Sequence, residues 1–226
     1  MNIEFVFYNT ESLFTRVEGD AHMIDMSWKH SKMVPHKHGL TTVTLIEYPG
    51  ADDWMAVKRR ALITIGKYAV TAPSSEWITR ILDARHSPIR KAMYSFEFGG
   101  IPSNTSTHFA RHVHAQPYVS TLRSDRISAT DLQSALGDLC DAVDGDLAPR
   151  CTPVSMILDV NAEALMIMAN KRLCSKAAEI TRSIMRAMCD LVIEVTPEMK
   201  RFLVPACVYS GGMCHEFESC GMHPHY

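Results

Sequence analysis

The stretch from Thr107 to Arg123, THFARHVHAQPYVSTLR, concentrates two arginines and three histidines in seventeen positions. Its apolar residues are too few for a core helix, but Ser103 is a suitable N-cap for a short one. On such a helix, residues three and four apart share a face. The spacing therefore predicts that His108 lies beside both Arg111 and His112, which makes a basic helix face the first candidate site.

The second half of this stretch is predicted to be a loop. Pro117 cannot continue a helix and pushes the preceding residue towards an extended conformation. The loop would turn Ser120, Thr121 and Arg123 back towards the helix. Guanidinium forks together with hydroxyls suit a phosphate or another planar anion. The alternative is a basic, polar helix face that simply meets solvent.

The composition is that of an ordinary globular protein. The chain has 226 residues, of which 46% are hydrophobic and 21% charged, and its formal net charge is −2. This balance argues against a nucleic-acid coat or a membrane-surface protein. No apolar run of about eighteen residues and no signal-peptide pattern is visible, so no membrane span is predicted. Seven cysteines, an odd number, favour a reducing compartment and hence the cytoplasm.

The periodicity of the chain predicts one α+β domain with long helices packed on a small sheet. Strands are predicted at residues 3–8, 41–48 and 93–98, the last ended by Gly99 and Gly100. Helices are predicted from Asp52 or Asp53, from Ser74, over 128–143 and over 161–195. The predicted organisation is an N-terminal extension over 1–40, partly strand, a domain over 41–221, and a tail over 222–226.

Two histidine-rich regions raise the question of a metal. Residues 9–40 lack periodicity, and their histidines favour a surface loop over a metal site because no thiolate or paired carboxylate accompanies them. The tail from residue 204 has enough soft ligands for a tetrahedral zinc, although their spacing matches no known finger, so a packed or frayed end is the preferred interpretation and no metal is predicted. Those tail residues are Cys207, Cys214, His215, Cys220, His223 and His225.

Several motifs together resemble the flavin-dependent thymidylate synthases. A strand, two helices, the triplet at residues 86–88 and another strand precede THFARH, as in that family. Arg111 and His112 match the start of the family's Arg-His-Arg signature, Thr121 stands at its serine, and Arg123 matches the following arginine. A second block, NAEAL through Arg172, resembles the family's Asn-Ala-Arg-Ser-Leu helix. The resemblance covers roughly residues 41–221.

This resemblance implies a reductive one-carbon transfer from methylenetetrahydrofolate to C5 of a pyrimidine deoxynucleotide, dUMP to dTMP in the family. It implies FAD as cofactor, NADPH as co-substrate, and a homotetramer whose subunits share active sites, without nucleic acid, membrane or metal. Arg172 would bind the substrate and act in catalysis by stabilising the ionised uracil ring. The other implied contacts are Ser87, Arg111, His112 and Asn161 to FAD, and His108, Thr121 and Arg123 to the nucleotide.

The sequence also departs from the family at ligand-facing positions. Arg85 and Lys91 replace two histidines and are expected to bring positive charge to the flavin from another direction. These differences leave open a variant substrate such as dCMP, or a non-catalytic relative that keeps the fold as a nucleotide-binding or assembly module. The remaining departures are His108, Val113, Val119, Gly145, Glu163 and Ile167.

Overall fold

A computed structural model describes residues 4–8, 12–16, 30–122 and 150–226. The chain divides into one unit that ends at His30 and another from Ser31 to Tyr226. In the first unit, β1 (Glu4–Tyr8) pairs antiparallel with β2 (Ser12–Arg16), which confirms the strand predicted at 3–8. The helix predicted at 128–143, together with Arg123 and Gly145, lies outside the described residues.

The second unit is built on a five-stranded sheet in which every neighbouring pair is antiparallel. The strand order is β3-β4-β5-β7-β6. The strands predicted at 41–48 and 93–98 are confirmed as β4 and β5. The five strands are β3 (Ser31–His36), β4 (Gly39–Glu47), β5 (Met93–Pro102), β6 (Ala115–Val119) and β7 (Pro153–Asn161).

Two segments predicted as loops are strands, and both lie at an edge of this sheet. β3 contains Pro35 and β6 contains Pro117. Proline lacks a backbone N–H, so it is excluded from central strands but tolerated on an edge strand whose N–H side faces away from the ladder. Each proline is therefore compatible with a strand, provided that the strand lies at the edge of the sheet.

β5 also continues beyond the two glycines that were predicted to end it. The pairing of β5 with β7 shifts register between Phe98 and Ile101, which marks a bulge. Gly100 has φ +71°, and a Cβ there would lie 2.6 Å from the carbonyl oxygen of Leu40. Glycine is thus required at this position by both conformation and space, and the strand passes through it.

Six α-helices and two 3₁₀ helices are present in the described residues of the second unit. Ser74 caps its helix as predicted, accepting a hydrogen bond from the Trp77 N–H at 3.2 Å. The elements are α1 (Ala51–Ile63), α2 (Ser75–Asp83), α3 (Ser103–Ala110), α4 (Ala162–Arg172), α5 (Glu179–Val195) and α6 (Ala206–Tyr209), with 3₁₀ helices at Ser87–Lys91 and Pro197–Arg201.

Three predicted helix boundaries are wrong in detail. The N-cap of α1 is Gly50, whose N–H donates to the Asp53 carboxylate at 3.1 Å, so the aspartate caps from inside the helix. Ser103 is the first helical residue of α3 and not its cap. The single helix predicted over 161–195 is divided into α4 and α5 by a turn at residues 173–178. The prediction missed this turn because the apolar residues on both sides of it keep helical spacing.

The core lies between the sheet and the helices behind it. α5 packs against β3 and β4, and α4 contacts α5. This arrangement confirms the α+β class with long helices on a small sheet. No helix within residues 30–122 and 150–226 is long and apolar enough to cross a membrane. Fully buried members of the core include Tyr94, Phe96, Phe98, Leu158, Leu165 and Met188.

Candidate functional site

The end of α4 meets the end of α3 through Arg172. Its Nε donates a hydrogen bond to Nε2 of His112 at 3.1 Å, and its Nη2 donates to the carbonyl oxygen of His108 at 2.8 Å. On the other side, Nδ1 of His108 lies 2.7 Å from the hydroxyl of Thr181 in α5. Three helices therefore hold one group, which we call the basic cluster: His108, Arg111, His112 and Arg172.

The basic cluster keeps its histidines neutral. Burial, followed by the nearby Arg172 charge, lowers the pKa of His112 to about 4. Burial and then the charges of Arg172 and Arg111 lower the pKa of His108. A guanidinium can only donate hydrogen bonds, so Nε2 of His112 accepts and its proton resides on Nδ1. At neutral pH the charge of the cluster is therefore carried by its two arginines.

No carboxylate compensates these two arginines within the described part of the chain. Arg172 is half-buried, and burial together with Arg111 lowers its pKa. Arg111 is exposed at the C-cap of α3. Neither forms a salt bridge among the residues that the structure describes. A pair of guanidinium groups without a counter-charge, beside neutral imidazoles, is suited to bind a phosphate or a planar anion.

One residue that sequence reasoning assigned to FAD lies at the other end of α4. Asn161 is the N-cap of α4, and its Oδ1 accepts a hydrogen bond from the Ala164 N–H at 2.9 Å. Ser87 is exposed at the start of the 3₁₀ helix that packs against α4. A helix of this length spans roughly 15 Å. Within one chain, the structure thus separates Asn161 from the basic cluster.

The remaining nucleotide contacts predicted from sequence follow β6. Thr121 is exposed just after that strand, which contacts α3, whereas Arg123 lies outside the described residues. Ser120 has a structural role, because its hydroxyl accepts a hydrogen bond from the Ser155 N–H at 3.0 Å. Val113 does not share the buried face of α3 with Phe109, since the helix ends at Ala110.

The positive charge expected near the N-terminal end of α4 comes from a different residue. Arg90 pairs with Glu163 through its Nε at 2.5 Å. Lys91 instead lies 3.6 Å from Asp53, and Arg85 donates to Asn170 in a separate contact. The expectation that Arg85 and Lys91 bring positive charge to a flavin stays a prediction. Arg90 had no sequence signal, because its partner is 73 residues away.

Thr181 is a second residue that sequence reasoning missed. It is fully buried in α5, and its hydroxyl orients the ring of His108. A threonine within a regular amphipathic helix carries no local indication of such a role. The contact between Thr181 and His108 depends on how α3 and α5 pack together in the fold.

Comparison with known proteins supports the fold. No protein-family model and no curated protein matches this sequence. A crystal structure of thymidylate synthase X (ThyX) from Helicobacter pylori with FAD and dUMP is similar, with a TM-score of 0.53 and 19% identity, covering 74% of this chain and 98% of that one. A second structure of flavin-dependent thymidylate synthase ThyX from the same organism, complexed with FAD and dUMP, gives a TM-score of 0.53 and 19% identity over 73% of this chain and 98% of that one. The chain therefore has a ThyX-like fold.

Two histidines of the tail have contacts within the chain. Among the described residues, no three histidines, cysteines or carboxylates form a group that could hold a metal. His225 is engaged with the carbonyl oxygen of Glu216 at 2.7 Å, and His215 packs against the ring of Tyr226. Cys214 forms a β-bridge with His225, which closes the tail as a small folded segment.

Proposed function

We propose that this protein is a flavin-dependent transferase of the thymidylate synthase X type. The reaction would be reductive transfer of a one-carbon unit from methylenetetrahydrofolate to C5 of a pyrimidine deoxynucleotide, dUMP or a variant such as dCMP. The observation that carries the proposal is the basic cluster, in which Arg111 and Arg172 meet neutral imidazoles and no described carboxylate. It occurs in a fold whose solved neighbours contain FAD and dUMP.

Arg172 has the geometry for the proposed substrate and catalytic roles. Two of its five N–H donors are used by His112 and the His108 carbonyl, which leaves the others for a ligand. These contacts hold the guanidinium in place before the substrate arrives. A fixed positive charge beside N3 and O4 of a uracil ring favours the ring anion and makes C5 more nucleophilic. His108, Thr121 and Arg123 would complete the nucleotide site.

The residues proposed for FAD fit an anionic dinucleotide. Arg111 and His112 offer donors at one end of α4, and Asn161 keeps a free side-chain amide while its oxygen caps the helix. Glu163 is neutralised by Arg90 and does not present an unpaired charge to a pyrophosphate. When bound, FAD would supply the hydride carrier between NADPH and the transferred carbon.

The separation of the two groups along α4 has a consequence for assembly. One chain presents the basic cluster and Asn161 at opposite ends of α4, roughly 15 Å apart. We propose that a homotetramer brings the two groups together from different subunits, so that each active site is shared. The unit from Ser31 to Tyr226, which includes β3 and the tail, would form this catalytic domain.

A cytoplasmic location is proposed on the chemistry of the cysteines. All six cysteines in the described residues are free thiols. Disulfides are rare where glutathione and thioredoxin keep thiols reduced.

A second candidate is a non-catalytic module that binds nucleotides or assembles with itself. It is favoured by apolar side chains at positions predicted to face the flavin. Val113 is 90% exposed and Ile167 is 38% exposed, and neither can donate a hydrogen bond to a phosphate or a ring. Nucleotide binding without FAD uptake would identify this case.

The test combines cofactor uptake and turnover. Purified protein is incubated with FAD and passed through gel filtration, and its visible spectrum is recorded. Tritium release from C5-labelled dUMP and dCMP is then measured with methylenetetrahydrofolate and NADPH. We expect flavin bands that co-elute with the protein and release from one nucleotide. We also expect Arg172→Gln to abolish release while retaining FAD, and Lys171→Gln to behave as wild type. A protein that takes up no FAD and releases no tritium would overturn the proposal.

A further inference from the structure

A cavity of about 390 Å³ lies beyond the last residue of α4. It is enclosed by the turn between α4 and α5, the start of α5, and the C-terminal segment. This volume is within the range of small-molecule pockets, about 300–1,000 Å³. Four of the six described cysteines line it, and they come from three separate parts of the sequence: Cys174, Cys207, Cys214 and Cys220.

One of these thiols is prepared to react. Cys214 is buried, and Cys174 and Cys207 are partly covered, whereas Cys220 is exposed. A hydrogen bond with the Ser175 side chain and another with the Met222 backbone lower the pKa of the Cys220 thiol. A thiol that ionises more readily supplies more of the nucleophilic thiolate at neutral pH. Cys220 therefore combines access with activation, which its three neighbours do not.

The cavity also has an excess of positive charge. Four cations line it, and its two carboxylates are each paired: Lys171 with Glu216 at 2.8 Å, and Lys176 with Glu218 at 3.5 Å.

The two remaining cations of the cavity are arginines. Arg182 donates to the carbonyl oxygen of Ser175 at 3.1 Å, and Arg186 is exposed on the next turn of α5. Neither forms a salt bridge within residues 30–122 and 150–226. A ligand that carries carboxylates would meet two uncompensated guanidinium groups.

We propose that this cavity is a thiol–disulfide exchange site, at which Cys220 forms a mixed disulfide with a small anionic disulfide. The Cys220 thiolate attacks one sulfur of the ligand, and a new sulfur–sulfur bond forms as the ligand's own bond breaks. The other half of the ligand leaves as a thiolate, so Cys220 is oxidised while the departing half is reduced. The carboxylates of the retained half lie against Arg182 and Arg186. No residue of the basic cluster lines this cavity, and the proposal does not depend on the function proposed for that cluster.

The experiment uses the full chain and two disulfides of opposite charge, oxidised glutathione and cystamine. Intact mass and peptide mapping follow adduct formation over time at neutral pH. We expect one glutathione per chain, on Cys220, and a slower reaction with cystamine. Cys220→Ser should lose the adduct, and Cys207→Ser, which removes another thiol of the same cavity, should retain it. Arg186→Gln should slow the glutathione reaction several-fold without slowing the cystamine reaction, so the difference between the two rates should narrow.

Three results would overturn the proposal. One is glutathione distributed over several cysteines or still bound in Cys220→Ser. Another is cystamine reacting as fast as glutathione. The third is loss of the Cys220 thiol without a retained glutathione, since a neighbouring thiol would then have displaced the adduct. Thermal unfolding of each variant verifies that it is folded, so that a missing adduct reports the missing thiol.

Discussion

The two ends of α4 differ in how their charges are satisfied. At the N-terminal end, Asn161 caps the helix through its side-chain oxygen and Glu163 meets Arg90, so the acidic charge has a partner within the chain. At the C-terminal end, Arg172 meets a carbonyl oxygen and the neutral His112, and its charge has no described counter-ion. The helix dipole favours acid at the first end and base at the second. The acidic charge at the N-terminal end is already paired within the chain, whereas the positive charge at the C-terminal end is available to bind an anion.

The largest expected effect comes from removing the charge at the C-terminal end. Arg172→Gln should weaken dUMP binding by about 1.5–3 kcal/mol, the usual worth of a hydrogen bond to a charged group. This corresponds to roughly a 10- to 150-fold increase in Kd. Isothermal titration calorimetry measures it. Lys171→Gln is the matched control, because Lys171 is the preceding residue and is paired with Glu216. Equal affinities for the two variants would mean that the open end of α4 does not hold the ligand.

The second effect is the pH dependence of stability that arises at the C-terminal end of α4. His112 has a pKa of about 4 in the folded chain against 6.5 in the unfolded chain. Between these values the unfolded state binds more protons, so stability should fall as pH decreases from about 6.5 to about 4. The slope attributable to one proton is at most ~1.4 kcal/mol per pH unit. His108, whose pKa is also lowered, acts in the same direction.

Urea unfolding at a series of pH values measures this contribution. His112→Gln should flatten the dependence over that window, because a glutamine does not titrate. His114→Gln, at an exposed position two residues away, controls for the loss of an imidazole. An unchanged slope in His112→Gln would show that the basic cluster does not hold this histidine neutral.

The third effect separates structure from binding at the N-terminal end. Asn161→Ala should cost about 1 kcal/mol of stability, because it removes the N-cap of α4. Asn161→Asp keeps the capping oxygen but loses the amide donor, so stability should be retained while FAD uptake falls. Chemical unfolding and flavin absorbance measure the two properties. If both variants lost stability without any change in FAD uptake, Asn161 would serve only the helix.

These two ends also differ in how far the sequence predicted them. His108, Arg111 and His112 were selected by helical spacing in one stretch, although α3 ends at Ala110 and His112 lies beyond it. Asn161 matched a family motif. Arg172 came only from the resemblance, since nothing local places it against α3. Arg90 and Glu163 are 73 residues apart, and their pairing is set by how a 3₁₀ helix packs on α4. Contacts between distant elements depend on packing that a local pattern does not contain.

The fold shows the same limit at the edges of the sheet. Alternation and β-branching identified the central strands, whose side chains are buried. The segments around Pro35 and Pro117 appeared to be loops, because proline opposes a strand in general but not at an edge. The division of α4 from α5 was missed because both helices keep the apolar spacing of a single long one.

The smallest expected effect is at the salt bridge that completes the N-terminal end. Arg90 is largely exposed, so Arg90→Gln should cost little stability. Its consequence for binding should be larger, since Glu163 is mostly covered and would then present an unpaired charge beside the proposed flavin site. We expect weaker FAD uptake in Arg90→Gln and recovery when Glu163→Gln is added. Lys91→Gln, which breaks the longer contact with Asp53, is the control. Unchanged FAD uptake in Arg90→Gln would place the flavin away from this end of α4, and the difference between the two ends would then concern the nucleotide alone.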